Sequence, residues 1–365
     1  MQHATRFFIG VEEIGDIILC FSRGLRELGY PVTNLVWELT SPLLEREEKH
    51  DGYIRRSESK YVRQLFLLIE FLKHFFLHDI YVFNYCSSFT SELLRQDNWL
   101  FRSLAYIDLA ILKVLKKKIV VFVNGDDLRS RPMLIEELRR DGLDQNAEYA
   151  QQDLDMEAGI PDHIRRLKAA KICRYADHIF VRPMSAQLVK REYSLGWVPV
   201  IFDTFQFSLD QPERPVVVHA PSDSAVKGSR YVAAAVDRLK REGYEFDFIL
   251  CQNMANKLVR EKLGAAQIAI DQLVLPSYGL FAVEAMASGC AVLGSAAGGH
   301  NAFPMDLPIL TSTPDTIYQN LKRLLIDKAL RIKLARDGRA YAERWHDYRN
   351  VMRDFVRQIG CAGDS

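Results

Sequence analysis

The run 271-DQLVLPSYGLFAVEAMASGCAVLGSAAGGHNAFP-304 decides how the rest of the chain is read. Residues 273–275 are apolar and read as a short buried strand. Pro276-Ser277-Tyr278-Gly279 is turn chemistry. Leu280–Ser288 reads as a helix that stops at Gly289. Residues 290–293 are again apolar and extended, before Gly294, Gly298 and Gly299 break the chain. Strand, turn, helix and strand within about 25 residues is a βαβ unit of a parallel sheet. A helix that starts after a glycine turn offers free backbone N–H groups and a positive dipole end, which suits a phosphate. Glu284 lies one turn further in, where a carboxylate can accept two hydrogen bonds from a sugar diol.

Upstream of that unit, residues 216–220 read as a strand, 222–228 as a polar loop and 231–242 as a helix. Lys227 precedes Gly228 on the loop, at a strand's carboxyl end, where a compact cation can meet a phosphate. A plain surface lysine is the other reading. A strand at 246–250, a helix at 253–263 and a short edge at 266–270 lead into the central run. Beyond it come a strand at 308–310 and helices at 314–325, 332–345 and 347–359.

The first half repeats the grammar. Residues 7–9 form a strand, 10–15 a loop bounded by Gly10 and Gly15, and 16–28 an amphipathic helix; the next strand begins at Pro31. This is not a dinucleotide fingerprint, because G-x4-G replaces G-x-G-x-x-G. Residues 41–64 are charged and read as a surface excursion. An apolar stretch at 65–76, a strand at 80–83 and a helix at 104–115 follow. The strand at 119–123 delivers Asn124-Gly125-Asp126-Asp127-Leu128-Arg129 at its carboxyl end, where open α/β sheets bind ligands. Asn-Gly-Asp is equally ordinary turn chemistry, and Arg129 either meets an acidic ligand group or pairs with Asp126. The polar stretch 139–152 reads as exposed. The basic helix 164–175 is a solvated face or a contact for anionic lipid. A strand at 176–181 and a Pro-marked connection at 203–215 close this half.

Composition bounds the rest. The 365 residues suffice for two domains, and 48 Lys+Arg against 47 Asp+Glu leave no global field to recruit nucleic acid. Six scattered cysteines without a C-x-x-C pair point to reduced thiols in a cytoplasmic protein rather than to zinc or disulfides. The N-terminus lacks the apolar core of a secretory signal, and no stretch is long and apolar enough to span a membrane.

The central run resembles the donor-site signature of family 4 retaining glycosyltransferases, through Pro276-Ser277, Tyr278-Gly279-Leu280, Glu284-Ala285-Met286-Ala287, Gly289 and Ala291-Val292. The resemblance implies the α/β GT-B fold, two facing Rossmann-like domains with the site between them. Residues 1–205 would form the acceptor domain, 206–345 the donor domain, and a helix in 346–362 would cross back. It implies sugar transfer, with retention and without metal or cofactor, from a nucleotide-diphosphate sugar to a glycan, lipid-linked or small-molecule acceptor. Donor contacts would be Ser222, Lys227, Tyr278, Gly279, Leu280, Phe281 and Glu284. Lys227 and Asp126 would take catalytic roles, and Gly15, Asn124, Gly125 and Arg129 would face the acceptor. The family carries a second acid eight residues before the one matched by Glu284; here that position is Pro276, and the nearest upstream acid is Asp271. A non-catalytic nucleotide-sugar binder and a nucleotide-sugar epimerase are the alternatives. Nucleic acid is not an expected partner; the inner membrane face is one.

Overall fold

The structure is a computed structural model that describes residues 4–38, 49–95, 98–125, 127–153, 161–296, 303–304 and 306–361. Its strands are short runs whose residues are mostly buried on both faces, the pattern of parallel sheets covered by helices on each side. The first sheet contains β1 (Phe7–Val11), β2 (Val32–Trp37), β3 (Gly52–Ile54), β4 (Ile80–Phe83), β5 (Lys118–Val123), β6 (His178–Val181) and β7 (Ser194–Leu195), in the order β3-β2-β1-β4-β5-β6-β7. The second contains β8 (Val216–His219), β9 (Asp247–Leu250), β10 (Ile268–Ile270), β11 (Ala291–Gly294) and β12 (Ile309–Thr311), in the order β12-β11-β10-β8-β9. Neighbouring strands in both sheets run parallel. The strand order reverses between β1 and β4, and again between β8 and β10. Crevices open at the carboxyl ends of strands at such reversals.

Helices cover both faces of each sheet. Lys60–His74, Ile107–Val114 and Asp162–Tyr175 share one core with Phe8, Tyr81 and Val121. Ile17–Glu27 and Tyr348–Gln358 cover the opposite face over Phe7, Ile9 and Phe122. The last helix approaches so closely that a Cβ on Gly24 would stand 2.4 Å from Met352 Cγ. On the second sheet, Ser229–Arg241 and Ile317–Ile326 pack over Val217 and Ile270, with Leu280–Ser288 and Asn256–Ala265 on the other side.

Four expectations are corrected. Residues 273–275 are not a strand; the strand is β10, and 271–279 is irregular. The chain turns there because the Asp271 carboxylate accepts the Gly279 N–H at 2.5 Å, while the Gln272 amide donates to the Ser277 carbonyl. Helix 104–115 is two helices, Trp99–Leu104 and Ile107–Val114, broken where Tyr106 takes φ +63°. The excursion at 41–64 contains β3 and the start of helix Lys60–His74; its residues 41–48 lie outside the described residues. The polar stretch 139–152 is not exposed throughout. It belongs to helices Arg131–Arg140 and Asp144–Asp153, and the second buries Ala147 and Ala150 against Val274 and Leu275. Asn146 Nδ2 donates to the carbonyls of Leu273 and Val274, at 3.1 and 2.9 Å, which satisfies two buried acceptors in the irregular run.

Candidate functional site

The two reversals face a common cleft. On the second sheet the ends of β8 and β10 are joined by His219, whose Nδ1–H donates to the Ile270 carbonyl at 2.8 Å. Its Nε2 then accepts from the Ser229 hydroxyl at 2.9 Å. Burial lowers the pKa of His219, so the ring is a neutral fastener. One residue after β10, Asp271 is fully buried and meets Lys227 Nζ at 2.5 Å. Lys227 ends the short helix Ser224–Lys227, and the αL conformation of Gly228 (φ +68°) turns the chain into the next helix. Lys227 also reaches Gln272 Oε1 at 3.4 Å. Asp271 therefore holds the lysine with one oxygen and the start of helix Leu280–Ser288 with the other.

Glu284 projects from that helix into a small cavity of 30 Å³ that it shares with Gly15, Asp16, Arg260 and Leu280. Its pKa is pushed up to about 7, first by burial and then by the nearby acids Asp16 and Asp271; Arg260 and Lys227 pull the other way. Arg260 lies 3.7 Å from Asp16, so the cavity joins a first-sheet loop to two second-sheet helices. Gly15 takes φ +59°, and a Cβ there would stand 2.3 Å from Leu280 Cδ2. The left-handed φ favours glycine here, and a larger residue would push the Leu280 side chain aside.

The larger part of the cleft is a cavity of 340 Å³ lined from the first sheet by Ile14, Tyr85, Asn124 and Arg182, and from the second by Gln272, Ser277, Tyr278, Gly279 and Leu280. Asn124 follows β5; its Nδ2 donates to Asn84 Oδ1 at 2.9 Å, and its Oδ1 accepts from Arg182 Nε at 3.0 Å. Arg182 follows β6, is 7% exposed, and donates through Nη1 to the Gly196 carbonyl at 3.1 Å. Its Nη2 is itself buried and has no hydrogen-bond partner among the described residues. Tyr278 ends 3.1 Å from His346 Nε2 and 3.2 Å from the Tyr341 hydroxyl, both on helix Lys328–His346. His346 donates from Nδ1 to the Val198 carbonyl at 2.8 Å, so Nε2 is the acceptor for the Tyr278 phenol. Burial lowers the His346 pKa to about 4, and the ring stays neutral. A separate polar cavity of 680 Å³ lies beside the ends of β1, β2 and β3, lined by Glu12, Trp37, Arg56, Arg63 and Glu92. Among the described residues no group of three His, Cys, Asp or Glu side chains could hold a metal.

Of the residues named from sequence, Asn124, Tyr278, Gly279 and Leu280 line the main cleft, and Gly15, Leu280 and Glu284 meet in the small cavity beside it. Lys227 lies at the helix start but is already paired. Ser222 is exposed on the turn before it. The Phe281 side chain points into the second-sheet core, leaving only its backbone at the helix start. Arg129 is fully buried, pairs with Glu137 at 3.1 Å and bonds the Met184 carbonyl, while its Nη1 has no hydrogen-bond partner among the described residues. Gly125 belongs to a capped turn, where the Asp127 carboxylate accepts the N–H groups of Asn124 and Gly125 at 3.1 and 2.8 Å. Asp126 lies outside the described residues. Arg182 and His346 were missed. Asp271 carried a signal, as the nearest acid upstream of Glu284; Arg182 carried none, since a missing partner is visible only in three dimensions.

The sequence matches no protein-family model and no curated protein. Solved structures do resemble it. Sucrose-phosphate synthase from Thermosynechococcus elongatus is similar with a TM-score of 0.64 at 15% identity, over 99% of this chain and 100% of that one. HepE of Anabaena, in complex with UDP-glucose, is similar with a TM-score of 0.62 at 12% identity, over 99% and 100%. WaaG, a glycosyltransferase involved in lipopolysaccharide biosynthesis, reaches 0.51 at 12% identity, over 98% and 100%. With two parallel Rossmann-like sheets facing each other across a cleft, and neighbours that match from end to end, this chain has the GT-B fold of the glycosyltransferases.

Proposed function

We propose that this chain is a glycosyltransferase that takes a sugar from a nucleotide-diphosphate donor bound mainly by the second sheet. One observation carries the reading. At the β8/β10 reversal, the start of helix Leu280–Ser288 lines a cleft that the first sheet closes, the Lys227–Asp271 pair is fastened behind that helix start, and Glu284 lies one turn further in, in the small cavity beside it. The helix start suits the diphosphate, with Lys227 held beside it by Asp271, and Glu284 suits the ribose hydroxyls. Transfer with retention needs no side-chain base if the leaving diphosphate takes the acceptor's proton. The chain's part is then to stabilise the charge that develops on that leaving group. Residues 1–205, with 346–362, would serve the acceptor and 206–345 the donor. The 680 Å³ cavity, with Trp37 beside Glu12 and Glu92, offers carboxylates for sugar hydroxyls and an aromatic wall. A thermal-shift panel of nucleotides and nucleotide sugars tests the donor reading; a ligand at a hundred times its Kd adds about 2.7 kcal/mol. No stabilisation by any nucleoside diphosphate would refute it. A second reading, a non-catalytic nucleotide-sugar binder, is favoured by the pairing of Lys227 with Asp271 and by Pro276. Nucleotide binding without donor hydrolysis or transfer would select it.

We place the acceptor at an anionic membrane face of the cytoplasm. No described helix is long and apolar enough to cross a membrane. Helix Lys60–His74 nevertheless turns Tyr61, Leu65, Leu68 and Leu72 outward at helical spacing. Beside it Trp99, at 77% exposed, and Val114, at 81%, head a second apolar stripe. Lys73 and Lys113 are exposed on these helices, each beside a carboxylate, Glu70 and Asp177, and Lys171 reaches the Ser103 carbonyl from the neighbouring helix. Amphipathic surfaces with cationic rims settle on anionic bilayers. The basic helix named from sequence contributes less than its composition suggests. Arg165 is buried against the Arg129 carbonyl, and Lys168 against that of Tyr85. Sedimentation with anionic but not zwitterionic vesicles, lost in Leu65→Asp with Leu72→Asp, is the expected result. Equal recovery with both vesicle types, or with neither, would oppose it.

A further inference from the structure

We infer that Arg182 is the cleft's contact for an oxyanion, and that the anion it awaits belongs to a ligand. Several cations near the cleft have carboxylates. Lys227 has Asp271, Arg260 has Asp16, and the neighbouring Arg129 has Glu137. Arg182 has none among the described residues: its two bonds go to neutral acceptors, Asn124 Oδ1 and the Gly196 carbonyl. Asp127, the acid that bears on it, already uses both oxygens to cap Asn124 and Gly125. Tyr278 and His346 face the same region and are uncharged at neutral pH. Burial lowers the guanidinium pKa only to about 10, so Arg182 remains a cation.

A buried, unpaired charge is costly, and an idle N–H adds to the cost. Here the cost goes with careful placement. Nε and Nη1 hold the guanidinium plane, and Asn124 is in turn held by Asn84. That leaves Nη2 as the spare donor of a fixed fork, in a residue that lines the same cavity as Gly279 and Leu280. The first turn of helix Leu280–Ser288 leaves backbone N–H groups for an anion. An oxyanion in the cavity would satisfy both, and would draw the carboxyl edges of the two sheets together through charge-assisted bonds. Lys227 is spent on Asp271, so Arg182 becomes the principal cation for that group. The name of the source rests on the donor reading. The oxyanion is either the donor's diphosphate or a phosphate or carboxylate on the acceptor.

Titration calorimetry with UDP, uridine and inorganic pyrophosphate, on wild type, Arg182→Gln and Arg182→Lys, decides the matter. Arg182→Gln is expected to weaken UDP by about tenfold or more, the usual effect of losing a charged hydrogen bond, and to leave uridine unchanged. Arg182→Lys should fall between, keeping the charge but losing the fork. If UDP is unaffected but pyrophosphate binding to the UDP-loaded protein is lost in Arg182→Gln, the oxyanion is the acceptor's. If wild type binds pyrophosphate through Arg182 but no nucleotide, the contact stands and the donor reading fails. If Arg182→Gln binds UDP, and pyrophosphate with or without UDP, within about twofold of wild type, the inference is overturned while the donor reading survives. Equal loss of uridine and UDP would make Arg182 merely structural, and absence of any anion binding to wild type would also overturn the inference.

Discussion

Replacing Glu284 with glutamine should stabilise the ligand-free protein, by an amount that grows as pH rises from 4.5 to about 7. Glu284 is 8% exposed, and its pKa lies at about 7 against an ordinary 4.5. The folded state therefore keeps a proton that the unfolded chain releases between those two values. The favourable contribution is complete below pH 4.5 and disappears as pH rises through about 7. At about 1.4 kcal/mol per pH unit, the interval amounts to roughly 3 kcal/mol. Glutamine has the same shape and no charge to bury. Glu284→Gln should thus match wild type near pH 4.5 and exceed it by roughly 3 kcal/mol at pH 8. Urea unfolding of both proteins at pH 4.5, 6, 7 and 8 measures the difference directly. A difference that does not change with pH would falsify the burial of an ionising carboxyl at this position. The ligand-bound state should show the opposite preference. Hydroxyl donors favour the ionised carboxylate, so nucleotide affinity should rise from pH 6 to 8 in wild type and fall by about 1.5–3 kcal/mol at pH 8 in Glu284→Gln.

Three further tests address the surroundings. Lys227→Met leaves the fully buried Asp271 without its cation and should cost about 3–5 kcal/mol in urea unfolding; adding Asp271→Leu should restore part of this, and a neutral single variant would refute the pairing. His346, lowered to about 4 by burial, favours the fold above its ordinary 6.5 and withdraws that support as pH falls toward 4. Wild-type stability should therefore drop by roughly 3 kcal/mol more than that of His346→Gln across this interval, and parallel curves would rule the assignment out. Gly15→Ala puts a Cβ against Leu280 at a left-handed φ, and should lower both the melting temperature and nucleotide affinity. Wild-type values for both would show that the two loops part freely.

Much of this molecule is legible in its sequence because parallel-sheet proteins write their strands as short apolar runs. Residues 80–83 and the helix Leu280–Ser288 carry their own signals, the latter ended by Gly289 at φ +88°. Residues 273–275 have the same apolar look yet form no strand. Two of their carbonyls, those of Leu273 and Val274, are satisfied from outside by Asn146, and no local pattern announces a partner so distant in sequence. The helix that carries Asn146 was read as solvent-facing because it docks through two alanines in a polar stretch, and small residues leave little trace in a hydrophobic pattern. At the site, Glu284 and Tyr278 could be named from a helix start and a turn. That Lys227 is already neutralised, and that Arg182 is not, are statements about distances between separate strands.

The return of helix Tyr348–Gln358 to the first sheet has a consequence for biosynthesis. Val351, Met352, Phe355 and Val356 cover Phe7, Ile9 and Phe122 of the first sheet, and Tyr348 donates to Glu27 at 2.6 Å. On the ribosome that face must wait. At 5–20 residues per second, the roughly 150 residues between β7 and this helix keep it bare for about 8–30 s after its strands have emerged. A nascent chain arrested at residue 340 should therefore offer a persistent apolar face to chaperones. Trimming the last helix would injure the half of the protein that was made first.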